Sequence, residues 1–174
     1  MYKKLIVTLL YGVFFYSVQA QKGGVSIAAG PLISIPVGSS AGGETSLKTG
    51  VGLIAIGQYN LSNKGALLLQ TSIAGYGTKP MRSNYTGESI SIFSLQGGYK
   101  YQLGSAGYFI NGLTGIDSYS DYGTSITFAL GAGKRFIIKD VYFIDTGIDY
   151  LFGDTDPRFN IKAVFSILQR PKPK

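Results

Sequence analysis

Five charged residues in the second half of the chain have the types and spacing to act together: Lys100, Arg135, Asp145, Asp149 and Lys162. Each alternates with small or polar neighbours. Asp145, Gly147 and Asp149 fall on one face of an extended chain, as do Gly131, Gly133 and Arg135, or Asn160 and Lys162. Two carboxylates among three cations read first as paired charges, because an unpaired charge in a confined space is costly. The same set could line a polar pathway for protons or very small solutes. Catalysis is harder to build. The chain has no histidine, which excludes a Ser-His-acid triad and removes the usual acid–base carrier near neutral pH. A Ser–Lys dyad, with Lys100 or Lys162 near Ser94 or Ser166, is the remaining nucleophilic arrangement, and hydrogen-bonded interior side chains are the commoner use of such residues. No residue is therefore assigned a catalytic role. Asp154 and Asp156 alone do not form a calcium site, and no phosphate-cradling motif is present, so neither a metal nor a cofactor is expected.

The elements that must position these charges are strands. Eight apolar segments can be marked, at 24–36, 48–60, 65–77, 89–101, 107–117, 124–136, 141–152 and 158–168. They are rich in Val, Ile, Tyr, Phe, Thr and Gly and are bounded by Gly, Asn, Ser, Asp and Pro, which is the strand signature. Their length suits a tilted strand crossing a bilayer, which needs about 9–11 residues. One face is apolar: Phe93, Leu95, Tyr99 and Tyr101, or Ile126, Phe128, Leu130 and Phe136. The other carries small residues and the charges. In the first two segments the faces are less distinct, since Val51, Leu53, Ile54 and Ile56 are apolar on both. Aromatic residues near the segment ends, among them Tyr59, Tyr76, Tyr108, Tyr142 and Phe152, fit interfacial girdles. The connections alternate. Those at 61–64, 102–106 and 137–140 are tight, 37–47 and 78–88 are long, and 118–123 and 153–157 are intermediate and polar. An antiparallel meander places alternate connections at opposite ends, so compact turns gather at one end and polar loops at the other.

Residues 1–20 read as a signal peptide: Lys3 and Lys4, an apolar run from Leu5 to Tyr16, then Ser17-Val18-Gln19-Ala20 before the expected cleavage point. The apolar run is short of the ~20 residues of a spanning helix. Removing it leaves one domain, 21–168, and a basic Pro-rich tail, 169–174. Sixteen Lys and Arg minus Lys3 and Lys4 leaves fourteen against nine acids, a formal charge of about +5. Three of those cations, Arg170, Lys172 and Lys174, sit in the tail, and no basic stripe runs through the segments, so nucleic acid is not an expected partner. Cysteine is absent; an exported domain of this size without disulfides must be stabilised otherwise, as by a closed sheet in lipid.

The order of Gly and aromatic motifs resembles the small outer-membrane β-barrel proteins of the porin family, related in architecture to OmpA/OmpX-type barrels. Gly30-Pro31, Ile35-Pro36-Val37-Gly38 and Gly50-Val51-Gly52 begin it. Gly98-Tyr99-Lys100-Tyr101 and Gly107-Tyr108-Phe109-Ile110-Asn111-Gly112 continue it. The run from Phe128 to Phe136 and Gly147-Ile148-Asp149-Tyr150 complete it. Where such barrels usually end on an aromatic residue, this chain ends its last segment near Phe165-Ser166-Ile167-Leu168 and carries the tail beyond. The resemblance implies an all-β, eight-stranded antiparallel up-and-down transmembrane barrel of the Gram-negative envelope. It also implies outer-membrane lipid as surroundings, the barrel-assembly machinery during insertion, and an extracellular or envelope protein partner. The expected role is a non-enzymatic structural, adhesive or partner-binding scaffold that presents loops 37–47 and 78–88, with Glu44, Arg82, Tyr85 and Glu88 as loop binding candidates. The alternatives are a secreted soluble barrel holding a small apolar ligand and, more remotely, a membrane-embedded lipid-modifying enzyme.

Overall fold

The computed structural model describes residues 24–37, 45–80, 89–120, 123–138, 142–154 and 157–169. Eight strands run in chain order: β1 (Val25–Pro36), β2 (Thr45–Asn60), β3 (Gly65–Pro80), β4 (Ser89–Leu103), β5 (Tyr108–Tyr119), β6 (Gly123–Ile138), β7 (Tyr142–Gly153) and β8 (Arg158–Gln169). Each pairs antiparallel with the next, and β8 returns to β1, so the sheet closes as a barrel with no free edge.

The register sets the barrel's width. Register partners lead from Ser26 through Gln58, Leu68, Gly98, Leu113, Ala129, Leu151 and Arg158 and back to β1 at Pro36. The path returns ten residues further along, from 26 to 36. Eight strands with that stagger tilt by about 40° and form a backbone cylinder of roughly 8 Å radius. Side chains alone can fill such an interior.

The sidedness of the wall is the reverse of a soluble barrel's. Outward positions carry Ile33, Val51, Leu53, Leu69, Ile73, Ile110, Ile126, Leu130, Ile148 and Phe165, all exposed. Inward positions carry Gln70, Gln96, Lys100, Asn111, Asp117, Thr127, Asp145, Asp149, Arg158 and Lys162, all buried. The interior is less uniformly small than the sequence pattern suggests. Leu32, Ile54, Ile56, Leu68, Ile90, Ile92, Leu113, Phe143 and Leu151 also point inward and pack between the polar groups. That is why the two faces of β1 and β2 look alike in sequence: Ile54 and Ile56 fill the lumen while Val51 and Leu53 face outward. Tyr76, expected in an aromatic girdle, is 2% exposed and lies inside instead.

The tight connections 61–64 and 104–107 gather at one end, where β1 begins and β8 ends. The second turn is closed by Gly104 and Gly107, whose positive φ of 63° and 82° suits glycine. At the opposite end two expectations need correction. Residues 45–47 and 78–80, read from sequence as loop, belong to strands: Thr45 pairs with Pro80, Ser46 with Lys79 and Leu47 with Thr78. Apart from Leu47 and Pro80 these residues are polar, so the apolar alternation stops before the backbone pairing does. The 118–123 connection is also shorter than expected, since Tyr119 already pairs with Gly123. Residues 1–23 and 170–174 lie outside the described residues, and with them the expected signal peptide and all of the expected tail except Gln169, which pairs with Ser26 in β8.

Candidate functional site: the charged lumen

The five charges singled out in the sequence all point inward, and the fold brings them together in two clusters rather than one. At the turn end, Asp145 of β7 accepts two bonds from Arg135 of β6: Nε to Oδ1 at 2.7 Å and Nη2 to Oδ2 at 2.7 Å. Lys100 Nζ, on β4, donates to the same Oδ2 at 2.6 Å. Arg135 and Asp145 are cross-strand partners, so neighbouring strands set that pair, whereas Lys100 reaches across the lumen. Both cations also rest on aromatic faces. Lys100 Nζ lies 3.7 Å from the Phe109 ring centre, and the Arg135 guanidinium lies 3.7 Å from that of Phe143. Arg135 Nη2 further donates to Gln58 Oε1 at 2.8 Å.

Halfway along the barrel, Lys162 of β8 donates to Asp149 Oδ2 of β7 and to Gln70 Oε1 of β3, the latter at 3.1 Å. Gln70 Nε2 donates to Gln96 Oε1 at 3.2 Å, and Gln96 Nε2 to Thr127 Oγ1 at 3.0 Å. Asn111 Nδ2 donates to the other Asp149 oxygen at 3.1 Å. One connected set of side chains from β3, β4, β5, β6, β7 and β8 therefore bridges the cross-section. Gly131 makes room for it. A Cβ there would sit 2.0 Å from Asp149 Oδ1 and 2.8 Å from Asn111.

Nearer the loop end lies a third pair that the sequence reading did not single out. Arg158 Nη2 of β8 donates to Asp117 Oδ2 of β5, with the side chains 1% and 0% exposed. Beside it Tyr76 donates to Ser34 Oγ at 2.7 Å, and Ser34 donates to Asn160 Oδ1 at 2.6 Å. A signal for the pair was present. Asp117 shares its face with Gly115 and Asn111, and Arg158 shares its face with Asn160 and Lys162. Arg158 is the first residue of its segment, where the alternation has only begun, so its facing is not marked by the residues before it.

The Ser–Lys arrangement is not assembled. Lys100 and Lys162 are held by Asp145 and Asp149, and Ser166 Oγ accepts the Phe143 backbone N–H at 2.8 Å. No group of three or more potential metal-ligating side chains occurs among the described residues. Glu44, Arg82, Tyr85 and Glu88 lie outside the described residues.

Solved structures share this architecture. The outer membrane protein OprG from Pseudomonas aeruginosa has a TM-score of 0.62 at 12% identity, covering 85% of this chain and 97% of that one. Ail, the attachment invasion locus protein of Yersinia pestis, in complex with the heparin analogue sucrose octasulfate, has a TM-score of 0.56 at 18% identity, covering 84% and 97%. No protein-family model and no curated protein sequence matches the chain. The chain thus has the fold of the small outer-membrane β-barrels, closed on eight antiparallel strands.

Proposed function

We propose that this protein is an integral outer-membrane barrel that acts as a non-enzymatic scaffold, holding the connections around 37–47 and 78–88 at the cell surface for an extracellular or envelope protein partner. The observation that carries this reading is the inverted sidedness of a closed sheet. Each strand is laddered to a neighbour on both sides, the outer wall is apolar, and the charges are paired inside. Such a wall is stable in lipid and would aggregate in water. The same observation disfavours a soluble carrier of an apolar ligand, because the space such a ligand would fill is occupied by ion pairs and amides. The absence of histidine supports a non-catalytic role.

The compact turns, the start of β1 and the end of β8 face the periplasm in this reading. The two long connections then face outward, where loops on a rigid barrel suit recognition. Outer-membrane fractionation, with extraction only by detergent and heat-modifiable migration on a gel, is the expected behaviour. Release by osmotic shock without detergent would overturn the membrane reading. Replacing 81–88 by a Gly-Ser segment should leave the heat-modifiable barrel intact and abolish cross-linking to a surface partner; unchanged cross-linking would reject that connection as the binding element.

A further inference from the structure

The charges of the lumen do not balance. Among the described residues, four buried or half-buried cations point inward, Lys100, Arg135, Arg158 and Lys162, against three carboxylates, Asp117, Asp145 and Asp149. Arg158 has Asp117 and Lys162 has Asp149, one to one. The surplus falls entirely on the turn-end cluster, where Lys100 and Arg135 share the single carboxylate of Asp145. This cluster also lies beside open space. A cavity of about 350 Å³ opens at the turn end, lined by Lys100, Arg135, Gln58, Gln102, Asn60 and Lys64 among others. Its lining is rich in donors. The Nη1 of Arg135, the Nδ2 of Asn60, the side-chain amide of Gln102 and the ammonium of Lys64 are not spent on the bonds within the cluster. A confined excess of positive charge facing a cavity lined by N–H donors is a complement to an oxyanion.

We infer that the turn-end mouth of the barrel is a binding site for a small oxyanion, a phosphate or carboxylate group, held by Arg135 and Lys100 with Lys64 and Gln102 at its rim. The anion brings a fourth negative charge to match the four inward cations among the described residues. The site belongs to the barrel itself and does not depend on the role of the loops or on which partner they hold.

The test uses the full barrel folded in detergent micelles, titrated calorimetrically with sodium phosphate, and separately with sodium acetate, at ionic strength held constant with sodium chloride. Saturable binding of either anion at one site is expected, and the two titrations tell a phosphate site from a carboxylate site. Gln102→Glu, which places a carboxylate at the mouth, should weaken that binding at least tenfold while keeping heat-modifiable migration. Lys134→Gln, which removes a cation from the outer wall, should leave it unchanged. The inference is overturned if neither anion binds above the chloride background, if Gln102→Glu binds as tightly as the parent, or if Lys134→Gln weakens binding as much as Gln102→Glu does.

Discussion

The tightest constraint at the residue scale is Asp149. It is fully buried and takes bonds from Lys162 and Asn111, while Gly131 is cut back to admit it. Removing one partner of such a pair leaves a buried charge alone, which costs about 3–5 kcal/mol. Asp149→Ala should therefore lower unfolding stability by about that amount in a urea titration of the barrel in lipid vesicles. The double variant Asp149→Ala/Lys162→Met should recover most of it, since replacing both charges removes the penalty. A double variant as unstable as the single one would mean that the amides, not the ion pair, hold the middle of the lumen. Gly131→Ala addresses the same spot through sterics alone. It forces the Asp149 and Asn111 side chains to move, and a loss of about 1–3 kcal/mol is expected in the same titration. The inward facing of Gly131 and Asp149 was legible in sequence, because parity alone sets it. That the two are cross-strand partners was not legible, since register is a property of the pair.

Outward alternation defines the strands at the scale of elements, so the outer wall should respond to charge according to depth. Leu130 sits midway along β6 and is 61% exposed, whereas Ile138 ends the same strand. Leu130→Arg should cost about 2–4 kcal/mol in refolding into vesicles, and Ile138→Arg only about 0–1. Equal costs at the two positions would argue against a lipid-facing band. The β2–β3 hairpin behaves differently along its length. Residues 50–60 pair within the closed wall, but β1 stops pairing with β2 at Gly50, so 45–47 are paired on β3 alone. Amide hydrogens of 45–47 are expected to exchange much faster than those of 52–58 by mass spectrometry, because an extension paired on one side opens locally at low cost. This extension was misread as loop for a physical reason. Apolar alternation reports where a strand meets lipid, not where backbone pairing ends.

For the whole molecule, closure and filling decide behaviour together. Eight strands with a ten-residue stagger leave a narrow interior, and the bridge from Lys162 through Gln70 and Gln96 to Thr127 crosses it. In planar bilayers the purified protein is therefore expected to show no stepwise conductance of the size seen with open porins. Replacing Gln70, Gln96 and Lys162 together by alanine should introduce a measurable leak. Large steady conductance in the parent protein would show that the bridge does not close the lumen.

The sequence by itself determined the strand number, the antiparallel order, the compact turns at one end, and the inward facing of Lys100, Arg135, Asp145, Asp149 and Lys162. All of these follow from the period-two alternation of side chains and from turn residues, which are local properties of the chain. Only the tertiary structure decided how the inward charges are partitioned. Lys100 joins Arg135 on Asp145 across the lumen, Lys162 takes Asp149, and Arg158 finds Asp117 forty-one positions away. Those pairings depend on the stagger accumulated around the closed sheet, which sets the height of each strand relative to the one opposite. No local pattern carries that sum, so the surplus positive charge at the turn-end mouth became visible only when the barrel closed.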